Sequence, residues 1–356
     1  MADLEFYRGK RVFVTGHTGF KGSWLCLILS RAGADVAGYA LEPPTAPSLF
    51  ELAGIRERVN STTGDIRDYD KLKSVFDREK PEIVMHLAAQ PIVRESYKNP
   101  RDTYETNVMG AVNVLECVRS SDCARSFLNV TTDKVYENRE WEWAYRECDP
   151  LDGFDPYSNS KSCSELATHS YRNSFFQDGR VAASTARAGN VIGGGDFAAD
   201  RIIPDCVRAA ASKSDVVVRN PRSIRPYQHV LEPLFAYLTI VERQYKDAGA
   251  AGCYNVGPDE CDCVSTGRLV QMFCDAFGGG LGWKDAAEEN APYESHFLRL
   301  DSSKMKRTFD WSPRWHIEEA VGKTVEWAKA YLEGEDVTSV MERQIDEFLN
   351  GDGGYV

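Results

Sequence analysis

The run Arg11-Val12-Phe13-Val14-Thr15-Gly16-His17-Thr18-Gly19-Phe20-Lys21-Gly22 restricts what this chain can fold into more than any other segment. Its first five residues read as a short buried strand, the glycines as a tight turn, and Ser23 to Ala32 as an apolar helix. Glycine at these positions permits the turn, lets backbone N–H groups approach a pyrophosphate, and lets helix pack on strand. The helix N-terminus then faces negative charge. Gly16, His17, Thr18, Gly19, Phe20, Lys21 and Gly22 are therefore the expected dinucleotide cradle, with a purely structural strand-to-helix turn as the alternative. His17 and Lys21 either contact phosphate or lie on a solvated turn.

Strands and helices then alternate through the first half. The candidate strands are Val12–Thr15, Asp35–Ala40, Ile83–Ala88, Ser126–Thr131 and Val181–Ala186, with apolar or amphipathic segments between them. This pattern predicts an α/β fold, a Rossmann-type doubly wound parallel sheet with a smaller mixed α/β substrate lobe. Ligands of such sheets bind beyond the carboxyl ends of the strands, where Gly16, Ala88, Thr132 and Ala188 all fall. From Gly189 the order loosens into the lobe, with a strand at Val216–Arg219 and further sheet elements at Leu231–Tyr245 and Cys253–Val256.

At that edge stand Thr131-Thr132-Asp133-Lys134 and Tyr157-Ser158-Asn159-Ser160-Lys161. A tyrosine and a lysine four apart on a helix share one face, so the ammonium can lie near the phenol oxygen and lower its pKa. A tyrosine so placed can act as a general base near neutral pH. Pro156 to Asn173 supports the helix, with Asp155 at its start. Alone, the Tyr-x-x-x-Lys spacing fits a solvated helix face equally well.

Several longer motifs decide between these readings. Thr15 to Trp24, Ala88-Ala89-Gln90-Pro91, Asp155 to Lys161, Arg187 to Asp196 and Arg225-Pro226-Tyr227-Gln228-His229 resemble the extended short-chain dehydrogenase/reductases, and within them the nucleotide-sugar 4,6-dehydratases. The resemblance runs from about Arg8 to Leu332. It implies NAD as cofactor, held by the glycine turn together with Asp65, Ile66, Ala88, Ala89, Gln90, Asn107, Tyr157 and Lys161. The second strand ends Gly38-Tyr39-Ala40-Leu41-Glu42 without the acid that many NAD enzymes place at its tip, which leaves NADP open. Asp65 could instead cap the helix near Asp68.

The resemblance also implies the chemistry. Tyr157, as phenolate, removes the proton of a hexose C4 hydroxyl; Lys161 holds the phenolate and the nicotinamide ribose; Thr132 orients the sugar. Asp133 matches an acid that expels water from C6, and Lys134 stands where dTDP-glucose relatives carry a glutamate that takes the C5 proton. Lysine there is shared with the CDP-glucose branch, so CDP-glucose is the expected substrate. A lysine acts as a base only when neutral, against a reference pKa of about 10.4. The alternative reading is that Lys134 is only a partner of Asp133, with Tyr136, Glu137 or water as the base. Substrate anchors are expected at Asn190, Arg201, Arg219 and Arg225, with Tyr293 and His296 closing over the nucleobase. A 4-epimerase, or a 4,6-dehydratase of another nucleotide sugar, is the alternative.

On this reading residues 1–187 and 230–257 form the NAD-binding domain, 188–229 and 258–335 the nucleotide-sugar lobe, and 336–356 a helical tail. A net charge of −12 disfavours nucleic acid and anionic membrane as partners, so an anionic substrate needs locally placed arginines. No run approaches the roughly eighteen apolar residues of a membrane span, and the N-terminus lacks a basic start followed by an apolar core, so a cytoplasmic protein is expected. The ten cysteines include Cys26, Cys117, Cys206 and Cys274 in apolar segments and no C-x-x-C pair, which predicts buried thiols and no metal. The tail places Val340, Ile345 and Phe348 at helical spacing, to pack on its own subunit or a neighbour. A homodimer or dimer of dimers is expected, through the helices around Asn99–Arg119 and Tyr157–Asn173.

Overall fold

Seven strands carry the fold: β1 Arg11–Thr15, β2 Asp35–Ala40, β3 Asn60–Thr63, β4 Ile83–His86, β5 Ser126–Val130, β6 Ala182–Ala188 and β7 Cys253–Val256. They form one sheet in the order β7-β6-β5-β4-β1-β2-β3, and every pair is parallel. The computed structural model describes residues 1–286 and 297–351. Parallel pairing demands crossovers, and α1 Phe20–Arg31, α2 Tyr69–Glu79, α3 Gly110–Arg119 and α4 Pro156–Phe175 lie between successive strands. They are followed by α5 Ile202–Ser212, α6 Leu231–Lys246, α7 Thr266–Phe277, α8 Ile317–Glu333 and α9 Val337–Asn350.

Side chains alternate across each strand, so the sheet divides the core in two. Val12 and Val14 pack with Trp24, Leu27 and Ile28 of α1. Phe13 faces the other way, onto Leu72 and Phe76 of α2 and Val114 and Val118 of α3. A third cluster, separate from those two, joins α5, α7 and α8 with the paired short strands Val216–Val218 and Trp283–Asp285. The tail helix α9 packs inward: Val340, Met341, Ile345 and Phe348 are buried with Phe235 and Trp315 of the same chain.

Two elements depart from expectation. β3 was not predicted, because Asn60-Ser61-Thr62-Thr63 has no apolar residue; it is an edge strand carried by its pairing to β2. Leu231–Tyr245, expected as part of the sheet, is the helix α6, with thirteen of its sixteen residues buried between sheet and tail. A helix buried all round has no polar face, so its apolar run mimics a buried strand.

Candidate active site

The strand order reverses between β1 and β4, and the site is built at that divide. Thr15 Oγ1 accepts from Leu87 N and Ala88 N at 3.2 Å and lies 2.7 Å from His86 Nδ1, tying the two strand ends together. Gly16 has φ of +76°, and a Cβ there would stand 2.7 Å from Ala88 N. A Cβ on Gly22 would stand 2.1 Å from Gly16 O, so the turn closes only with glycine at both positions. Gly19 caps α1 without a side-chain bond, leaving the N–H groups of the first turn open to an anion.

The two side chains of this turn go different ways. His17 is buried, its Nε2 2.7 Å from Ser61 Oγ and its ring so close over Gly38 that a Cβ would lie 2.4 Å from it. Burial lowers its pKa to about 4, so it is a neutral wedge between the turn and β2 rather than a phosphate ligand. Lys21 lies near Asp133 and Lys161: burial and then the nearby Arg201 push it down to about 8, while Asp133 and Asp196 act to raise it.

The remaining cofactor candidates shape the wall. Asn107 Oδ1 accepts from Gln90 N at 2.8 Å, and its Nδ2 donates to Gln90 O at 3.1 Å and Ser160 Oγ at 2.9 Å. The Gln90 amide is engaged by Thr103 Oγ1 at 2.9 Å and Ile92 N at 2.6 Å, leaving half-buried Ala88 and Ala89 along the cleft. Ile66 is buried, and the half-buried Asp65 carboxylate is paired with Arg67 at 2.6 Å. Asp68, not Asp65, caps α2. Beyond β2 the fold brings Arg56 to 3.7 Å from Glu42 and 3.0 Å from Glu51, a contact not visible in the sequence. An arginine already met by two carboxylates offers little to a ribose 2′-phosphate.

Thr132-Asp133-Lys134 leaves the end of β5 as a tight turn, and α4 presents Tyr157 and Lys161 to it. Asp155 fixes the start of α4 by accepting from Ser158 N at 3.0 Å and Ser158 Oγ at 2.6 Å, ahead of Pro156. Burial raises the Tyr157 phenol to about 12, while its hydrogen bond with Thr132 and the charge of Arg201 act in the opposite direction. Lys161 is buried and pushed down to about 7, first by desolvation and then by Lys21, against the favourable charge of Glu165. The expected contact of ammonium with phenol is replaced: Lys161 Nζ donates to Val130 O at 3.1 Å. His86, unremarked in the sequence, lies buried under the divide, held neutral with a pKa lowered to about 3 by burial and by Lys161.

Asp133 is buried, with Oδ1 accepting from Thr132 Oγ1 at 2.9 Å and Lys134 Nζ at 3.3 Å. Its Oδ2 is buried and has no partner among the described residues. The two alternative bases are already engaged. Tyr136 OH donates to Asn255 Oδ1 at 2.6 Å inside the core, and Glu137 pairs with Arg139 at 2.9 Å beside a cavity of about 440 Å³.

Among the substrate candidates, Arg201 is paired with Asp196 at 3.0 Å and is close enough to influence Tyr157 and Lys21. Asn190 carries a buried Oδ1 with no partner among the described residues. Arg225 is buried where Ile224–Pro226 pairs with Cys263–Ser265. Arg219 is turned to Asp200 at 2.8 Å and Asp205 at 3.8 Å, so its charge is already met. Tyr293 and His296 lie outside the described residues. Among the described residues, one compact group of metal-type donors occurs, Cys261, Asp262 and His316. There the Asp262 carboxylate already accepts from Ile317 N at 2.9 Å and lies 2.9 Å from His316 Nδ1, as a cap for α8.

Residues 13–324 match the family described as GDP-mannose 4,6 dehydratase. The chain is 48% identical to CDP-glucose 4,6-dehydratase from Salmonella typhimurium, over 98% of this chain and 99% of that one. It is 26% identical to dTDP-glucose 4,6-dehydratase from Xanthomonas campestris, over 88% and 92% of the two chains. In fold it is similar to UDP-glucose 4-epimerase from Thermotoga maritima, with TM-score 0.79 and 19% identity over 90% of this chain and 99% of that one. It is likewise similar to dTDP-glucose 4,6-dehydratase from Bacillus anthracis in complex with NAD, with TM-score 0.76 and 20% identity over 91% and 98%.

Proposed function

The chain belongs to the GDP-mannose 4,6 dehydratase family, and on that premise we propose that it is an NAD-dependent CDP-glucose 4,6-dehydratase, a hydro-lyase converting CDP-glucose to CDP-4-keto-6-deoxyglucose. The observation that carries this reading is the Thr132-Asp133-Lys134 turn set against Tyr157 and Lys161, in a chain 48% identical along nearly its whole length to a CDP-glucose 4,6-dehydratase. A redox site alone needs only the tyrosine and lysine; an acid and a second amine beside them serve an elimination.

The glycine turn fits a dinucleotide, because the open N–H groups at the start of α1 match a pyrophosphate. When bound, NAD supplies a reversible two-electron acceptor with a positively charged ring, taking hydride from sugar C4 and returning it at C6. Tyr157 receives the C4 hydroxyl proton. It must therefore stand as phenolate before the transfer; burial opposes that form, and the charge of Arg201 and the Thr132 hydroxyl, once its proton turns from Asp133 Oδ1 to the phenol oxygen, favour it. Lys161, placed beneath Val130 O, holds the ribose side of the cleft.

Once C4 is a ketone, the C5 hydrogen is acidic. The Asp133–Lys134 contact is then a latent acid and base. Moving one proton from Nζ to Oδ1 across their 3.3 Å hydrogen bond gives a neutral amine and a neutral carboxylic acid. Lys134 takes the C5 proton, Asp133 gives its proton to the departing C6 hydroxyl, and the original ion pair is restored. Asn190 and Arg225 hold the diphosphate, and Arg201 stands at the hexose.

The exposed apolar side chains Met109, Leu166 and Phe175 on the helices spanning residues 100–119 and 156–175 support a homodimer through that face. Among the described residues no helix is long and apolar enough to cross a membrane, and all ten cysteines are free, which suits a reducing cytoplasm. Incubation with CDP-, dTDP-, UDP- and GDP-glucose, with mass spectrometry of the products, tests the assignment. Loss of water from the CDP sugar in preference to the others is expected; equal turnover of all four, or none, rejects it.

A further inference from the structure

We propose that Glu165 and Arg187 are positioning residues that clamp both ends of the segment carrying Thr132, Asp133 and Lys134 and hold it in register with Lys161. The proposal rests on the dehydratase reading above. Glu165 follows Lys161 by one helical turn on the same face of α4 and is buried. Its Oε1 accepts from Thr131 Oγ1 at 2.5 Å; its Oε2 accepts from Thr185 Oγ1 at 2.6 Å and Arg187 Nη2 at 2.9 Å. Arg187 Nη1 donates to Tyr136 OH at 2.9 Å, with the guanidinium 5.1 Å above the Tyr136 ring. Thr131 and Tyr136 flank the catalytic turn in sequence. Both of its ends therefore stop on one buried ion pair.

The network extends to the second lobe. Tyr136 OH donates to Asn255 Oδ1 at 2.6 Å, and Asn255 Nδ2 donates to Tyr145 O at 2.8 Å and Asp301 O at 3.1 Å. Stability alone is a poor reason for such a pair, because the desolvation of two buried charges commonly exceeds their attraction. What the pair does supply is a fixed geometry. The oxidation groups Tyr157 and Lys161 ride on α4, whereas the elimination groups Asp133 and Lys134 ride on the turn, and Glu165 is bonded to both elements. Tyr136, a possible base by sequence, is thereby assigned to holding the turn.

The test compares Tyr136→Phe, which keeps the ring and removes the hydroxyl, with Glu165→Gln in the full-length NAD-loaded enzyme. Misplacement of catalytic groups by about 1 Å costs on the order of a hundredfold, so kcat should fall roughly ten- to a hundredfold in Tyr136→Phe while KM changes by less than about threefold. Reduced nicotinamide should build up during turnover, because Tyr157 and Lys161 stay in place on α4 while Asp133 and Lys134 shift with the turn, so elimination slows more than oxidation. That build-up separates positioning from loss of fold, which lowers both half-reactions together. Glu165→Gln also removes the charge that favours the Lys161 ammonium, so it should slow both half-reactions with elimination the more affected, and if it fails to fold, Tyr136→Phe still decides. A folded Tyr136→Phe enzyme with native kcat, or with reduced kcat and no build-up, overturns the proposal. Native enzyme that forms no 4-keto-6-deoxy product overturns instead the dehydratase reading on which it rests.

Discussion

Asp133→Asn should separate the two halves of the reaction. Asparagine keeps an oxygen at Oδ1, so the hydrogen bonds from Thr132 Oγ1 at 2.9 Å and Lys134 Nζ at 3.3 Å can persist. It cannot carry a proton to the C6 hydroxyl. Loss of a positioned general acid costs 10²- to 10⁴-fold, or about 3–5 kcal/mol on the elimination barrier. The oxidation has the opposite sign: the Asp133 charge raises the Tyr157 phenol, so its removal makes deprotonation easier. Stopped-flow absorbance of the reduced nicotinamide should therefore show a burst approaching one equivalent per site, at native rate or faster, followed by slow turnover. A variant that turns over within about threefold of native, or that shows no burst, refutes the assignment of Asp133 as the acid.

Other outcomes follow from the same geometry. Lys134→Ala should also accumulate reduced cofactor and should lose incorporation of solvent deuterium at C5, measured by NMR; native exchange places the base elsewhere. Gly22→Ala puts a Cβ 2.1 Å from Gly16 O, and should abolish NAD binding by calorimetry and lower the thermal midpoint. Burial raises Glu232, which holds the backbone N–H groups of Arg314 and Trp315, from 4.5 to about 7. A raised folded value means the folded protein holds the proton more tightly than the unfolded chain. That contribution is complete below about 4.5 and fades as pH climbs through 7, by about 3 kcal/mol. Thermal melts should show the fall, and Glu232→Gln should flatten it.

The parts of this molecule legible in its sequence are those set by local spacing. The β1 strand, glycine turn and α1 announce themselves because apolar period and turn chemistry coincide within twenty residues or so. Tyr157 and Lys161 share a face because they are four apart. What they touch was not legible: Lys161 reaches Val130 O, and His17 reaches Ser61, through contacts made only when the sheet assembles. β3 carries no signal because an edge strand of Asn, Ser and Thr has no apolar alternation, and α6 misleads because a helix buried on nearly every side shows no clear polar stripe. The Glu165–Arg187 pair joins α4 to β6, and Asn255 lies more than a hundred residues from Tyr136, so no motif links them. Lys21 belongs to the expected phosphate cradle by sequence, yet the fold sets it among Lys161, Asp133, Asp196 and Arg201.

The central claim is that oxidation at C4 and reduction at C6 are one internal cycle at a single site. CDP-glucose carrying deuterium at C4, turned over in ordinary water with substoichiometric NAD, tests it without reference to any variant. The label should appear on the C6 methyl of the product, with a ketone at C4 and the cofactor oxidised at the end. Label retained at C4, or lost to the free cofactor pool, would show that no such internal transfer occurs.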